Sequence, residues 1–166
     1  EDSNVDIQIS FFSFGGDGAT CDVPLCSLNS FDIPKFEYKA QGGTPMGQAF
    51  SMIKDLVENK EMIPSRAYKP TIVIVSDGVP TDNYNEAMNA LINEGRSSKA
   101  FRIAMAIGSD ADKNMLSQFV SNPELLLSGE NARDIRKFFR FVTMSVTSRM
   151  KSQTPDAPLA LPANLD

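Results

Sequence analysis

The hydrophobic positions of this chain change period several times, and each change marks an expected element. Residues 5–14 (VDIQISFFSF) alternate, with Val5, Ile7, Ile9 and Phe11 on one face. That predicts a strand, closed by Gly15, Gly16 and Gly18. A second strand is expected within residues 20–28, antiparallel to the first across the glycine turn. Pro24 suits an edge position there, where a missing N–H costs nothing. Residues 46–59 carry Met46, Phe50, Ile53 and Val57 at helical spacing, with Met52 and Leu56 widening the stripe. The unbroken run Ile72, Val73, Ile74, Val75 reads as a strand buried on both faces. Residues 85–94 form another expected helix, stopped by Gly95. Residues 101–107 set apolar side chains against Arg102, Ala104 and Ala106, as a parallel strand does when a helix approaches its small-residue face. A short helix over 112–120 and a short strand over 124–127 follow. The longest helix spans 132–150, with Ile135, Phe138, Phe139, Val142 and Val146 expected inward. Arg133, Arg136, Lys137 and Arg140 point the other way, as a solvated basic face.

This order is that of an α/β layer fold. A doubly wound, mostly parallel sheet with one antiparallel edge strand is expected. The organisation reads as one domain over residues 1–150 and a disordered tail or linker over 151–166, which is rich in proline and lacks periodicity.

The composition narrows the function classes. Hydrophobic residues make up 42% and charged residues 22%, ordinary values for a globular domain. A net charge of −5 and an isoelectric point near 4.8 argue against nucleic-acid or anionic-membrane binding as the main activity. No apolar run approaches the roughly 20 residues of a membrane span. Cys21 and Cys26 would lie roughly 16 Å apart on an extended segment, against the ~5.5 Å between the Cα atoms of a disulfide. They read as free thiols of a cytoplasmic protein. The chain starts without a methionine or signal peptide, which leads us to expect an upstream segment cut or left out.

Candidate chemistry gathers where expected strands end. Asp77 follows the 71–76 run, and in open α/β sheets ligands bind at the carboxyl ends of the strands. With no histidine in the chain, a carboxylate among small polar residues suits a hard metal ion better than proton transfer. The alternative is simple turn chemistry of Asp before Gly. Thr44, in GGTPMG, is either a second oxygen donor or the N-cap of the helix it precedes. Asp82 is expected to cap the helix that follows it, Ser76 to serve packing or a turn, and Asp110 and Asp112 to act as cap and turn residues. Gly42 and Gly43 would let the backbone approach closely. A phosphate loop is a poor match, because Gln48 stands where the lysine would follow Gly47. Hydrolases built on histidine are excluded within this chain.

Three motifs occur in order: GGTPMG (42–47) before a helix, SDGVPTD (76–82) at a strand end, and AIGSDAD (106–112) at the next. Together they resemble a von Willebrand factor A domain, in particular the bacterial intracellular branch associated with tellurite resistance. The resemblance covers residues 5 to about 150. It implies a metal-ion-dependent adhesion site for Mg²⁺ or Mn²⁺, with Thr44 at the family's threonine position and Asp77 at its aspartate position. It also implies a non-enzymatic role in a cytoplasmic stress-response or signalling complex, with a protein partner supplying an Asp or Glu to the metal.

One family feature is missing. No D-x-S-x-S occurs in the sequence, and the family's first strand and helix are not apparent. About 30–40 residues would supply them, judged as one strand, one helix and their loops, and their expected place is before Glu1. Two further readings stand beside the first: a metal-free scaffold domain with a degenerate site, using another surface such as the last helix, and a metal-assisted phosphoryl-transfer enzyme.

Overall fold

The computed structural model describes residues 7–16, 18–31 and 42–151. Residues 152–166 of the expected tail, and Val5 of the first expected strand, lie outside this range. The chain divides into two compact units, Glu1–Ser65 with Pro80–Leu91, and Arg66–Val79 with Ile92–Asp166.

The first unit holds β1 (Gln8–Gly15) and β2 (Gly18–Ser27), paired antiparallel as expected. Their register slips between Ile9 and Phe11 and again between Phe11 and Phe12. Pro24 and Leu25 have no partner in the ladder, so the proline sits at a bulge, where its missing donor is harmless. Helix α1 (Met46–Glu58) buries Met46, Ala49, Phe50 and Val57. Helix α2 (Asn85–Asn93) buries Met88 and Leu91. Both cysteines are free thiols on β2.

The second unit is a parallel sheet in the order β3 (Thr71–Ser76), β4 (Phe101–Ile107), β5 (Leu126–Gly129). Helix α3 (Lys113–Phe119) connects β4 towards β5, and α4 (Ala132–Lys151) is the last described element. The α/β class with parallel and antiparallel strands holds. Among the described residues the antiparallel pair forms its own two-stranded sheet rather than the edge of the parallel one.

Three expectations change in detail. β3 alternates between buried and half-buried residues, and the strand buried almost throughout is β4, which has a partner on each side. The last strand begins two residues later than expected, because Pro123–Leu125 forms a 3₁₀ turn with Asn122 accepting from the Glu124 N–H. On α4 the buried row runs Phe138, Phe141, Ser145, and Phe139 is 42% exposed. One step of 100° separates Phe138 from Phe139, enough to carry the second ring off the buried face. The two rings still meet edge to face at 5.6 Å.

Arg102, read in sequence as part of a small-residue face, is 7% exposed at the start of β4. Its Nε donates to the Phe119 carbonyl at 2.7 Å, and Nη1 donates to the carbonyls of Ser97, Ser98 and Ala100 at 3.0–3.3 Å. These oxygens close α3 and the 3₁₀ turn Arg96–Lys99, so the cation sits where helical carbonyls are otherwise orphaned. Burial lowers the pKa of the guanidinium. At the same end of the sheet, Arg149 of α4 donates to the Thr71 hydroxyl and the Lys69 carbonyl and lies 3.9 Å over the Phe101 ring.

Candidate functional site

In the second unit, the chain leaves β3 through a loop held on both sides of Asp77. The buried Ser76 hydroxyl accepts from the Gly78 N–H at 3.4 Å, the turn role expected of it. The Gly78 carbonyl accepts from the Asp112 N–H at 3.2 Å. The Asp112 carboxylate in turn accepts from the Met115 N–H at 3.0 Å and caps α3. Each neighbour of Asp77 is therefore engaged, while Asp77 itself is exposed with no hydrogen bond or ion pair among the described residues. The next strand ends in a comparable way, at Gly108, whose φ of 74° turns the chain while its N–H donates to the Gly129 carbonyl at 2.8 Å.

In the first unit, Thr44 is pinned by its backbone. Its N–H donates to the Thr81 hydroxyl at 2.8 Å, and its carbonyl accepts from the Thr81 N–H at 2.9 Å and the Met46 N–H at 2.7 Å. The Thr44 hydroxyl has no partner among the described residues. It does not cap α1, whose N-cap is Pro45 with no side-chain bond. Asp82 does that work instead: Oδ1 accepts from the Gly47 N–H at 2.9 Å and Oδ2 from the Gln48 N–H at 3.0 Å. The expectation that Asp82 caps the helix after it is thus corrected. α1 has no acidic residue in its own first turn, and a carboxylate from a distant segment supplies the negative charge that its N-terminus favours.

Glycines make this close approach possible. A Cβ on Gly47 would meet the Tyr84 Cα at 2.9 Å and the Asp82 carboxylate at 3.1 Å. Gly43 has a φ of 132°, and a Cβ there would collide with the Gly16 carbonyl oxygen. Gln48 uses its side-chain oxygen to accept from the Ala19 N–H at 3.1 Å, tying α1 to β2. The phosphate-loop reading fails on the same geometry, because the helix N–H groups that would cradle an anion already hold Asp82.

The sequence thus named two residues, Thr44 in the first unit and Asp77 in the second, whose side-chain oxygens are unengaged among the described residues. A carboxylate and a hydroxyl are hard donors that suit Mg²⁺ or Mn²⁺. They are few: among the described residues no group of three or more His, Cys, Asp or Glu side chains could hold an ion. Sequence reasoning missed the structural roles of Thr81 and Asp82, which act on residues more than thirty positions away. It also missed Arg102, whose signal was a lone arginine inside an apolar strand.

A family model described as the von Willebrand factor type A domain matches residues 3–141. No curated protein matches the chain. Among solved structures, proximal thread matrix protein 1 from the mussel byssus matches with a TM-score of 0.61 at 14% identity, covering 84% of this chain and 36% of that one. The same mussel protein with a zinc-occupied MIDAS motif matches with a TM-score of 0.59 at 14% identity, covering 82% and 35%. The chain therefore spans just over a third of the length of these structures, and the likeness is one of fold. No helix among the described residues is long and apolar enough to cross a membrane.

Proposed function

Because the chain belongs to the von Willebrand factor type A family, we propose that it is a metal-ion-dependent protein-binding module in which Asp77 and Thr44 serve a divalent cation. The observation that carries this reading is Asp77, an exposed carboxylate at the carboxyl end of a parallel strand, left unengaged while its neighbours on either side are fixed. An unpaired carboxylate on an anchored loop is ready to bind without first breaking a protein contact. Thr44 offers a hydroxyl on a backbone held by Thr81. The mussel protein with a zinc-occupied MIDAS motif supports divalent binding on this fold. Mg²⁺ or Mn²⁺ is the ion favoured by the donor chemistry here.

A divalent ion with an incomplete protein shell supplies a Lewis-acidic position that a partner's Asp or Glu can fill. Asp77 would give the shell its protein charge, and Thr44 a neutral oxygen, leaving enough net positive charge at the ion to attract that carboxylate. No catalytic step is assigned to either residue. The setting we propose is a cytoplasmic signalling or stress-response complex, of the bacterial kind associated with tellurite resistance.

Calorimetric titration of Mg²⁺ and Mn²⁺ into the protein and into Asp77→Ala tests the reading. Binding lost in the variant supports it; unchanged affinity refutes the role of Asp77. A second reading, a metal-free scaffold, rests on a specific observation: D-x-S-x-S is absent, and no group of three metal-binding side chains occurs among the described residues. Partner binding that persists in chelator would favour it.

A further inference from the structure

Helix α4 carries three arginines that its own fold does not use. It holds four arginines, two lysines and one aspartate, a formal +5 in a chain of net −5, so everything outside it carries −10. Arg133, Arg136 and Arg140 are exposed and lie at i, i+3 and i+7, a single row of like charges along the helix. The row begins in the first turn, where the helix dipole disfavours cations. The one acid of the helix does not relieve it, because Asp134 accepts from the Glu130 N–H at 2.8 Å. None of the three arginines has a partner among the described residues. Beside the row stand two large apolar side chains, Phe139 at 42% and Met144 at 44% exposure. Each choice weakens the isolated helix or leaves apolar surface wet, and local conflicts of this kind are expected at functional surfaces.

We propose that this face of α4 docks an acidic, amphipathic protein segment, whose carboxylates pair with Arg133, Arg136 and Arg140 and whose apolar side chains cover Phe139 and Met144. Arginine forks suit carboxylates, and the flanking apolar pair dries their surroundings. A peptide engages this basic helix face alone. An anionic bilayer presents an extended surface to the strongly negative remainder of the chain as well, so it is the poorer fit. This docking is independent of the divalent ion and of Asp77.

The test is fluorescence anisotropy of a labelled helical peptide with glutamates and leucines on one face, titrated with the whole protein in EDTA. The wild type binds, with affinity falling as salt rises. Arg136→Glu/Arg140→Glu weakens binding roughly tenfold or more, and Phe139→Ser weakens it severalfold. Arg136→Lys/Arg140→Lys keeps the charge but loses the fork, so it weakens binding less than the charge reversal does, and Asp77→Ala leaves it unchanged. Lys113→Glu/Lys99→Glu makes the same change in net charge on exposed lysines elsewhere and has little effect. Circular dichroism melts confirm that each variant is folded. Equal losses in the two charge-reversed pairs would overturn the proposal, as would no peptide binding by the wild type. Tighter binding to phosphatidylserine vesicles than to the peptide, with the same dependence on the arginines, would replace the peptide by a membrane.

Discussion

Asp77 and Asp82 lie five positions apart in one segment and put the same side chain to opposite uses. Asp82 is half-buried and spends both oxygens on the first-turn N–H groups of α1. Asp77 is exposed, and its neighbours are fixed while it is not. The basic residues divide in the same way. Arg102 is buried against four carbonyls, whereas Arg133, Arg136 and Arg140 stand in water. In this chain, charges that hold the fold are saturated, and charges available for recognition are those the fold leaves alone.

Breaking the saturated side of this comparison has the largest expected effects. Arg102→Met removes four hydrogen bonds to a charged donor and strands buried carbonyls, a loss of about 3 kcal/mol or more, read by denaturant unfolding. Gly43→Ala forces a side chain into a positive φ and against the Gly16 carbonyl, with an expected cost of about 2–3 kcal/mol in the same measurement. Asp82→Ala uncaps α1 and should cost about 2 kcal/mol, while Asp82→Asn, which keeps one acceptor oxygen, should recover part of that. On the other side, Asp77→Ala should change stability by less than about 0.5 kcal/mol and show its effect in divalent binding alone. Thr44→Val keeps the backbone bonds to Thr81, so it too should leave the melt nearly unmoved and weaken the ion's binding.

The elements were legible because local periodicity encodes them: the run at 72–75, the stripe of α1 and the strand over 101–107 stand where the pattern placed them. The phase of α4 was not, because Phe138, Phe139 and Phe141 offer two apolar rows, and packing chose the one that also buries the serine at 145. Capping at a distance was equally hidden. Nothing near Asp82 in the sequence announces that its carboxylate belongs to a helix beginning at Met46. The position of Asp77 could be read because a strand end followed by Asp-Gly is a local signal. That it stays unengaged could not, since it depends on Ser76, Gly78 and Asp112 having found other partners.

The most direct test is Mn²⁺ titration of the wild type and Asp77→Ala by calorimetry, with a thermal melt of each. The account predicts that the wild type binds the ion, the variant does not, and the two melt together in its absence. Equal affinity in both proteins, or no binding by the wild type, would contradict it and leave the exposed carboxylate without the role proposed for it.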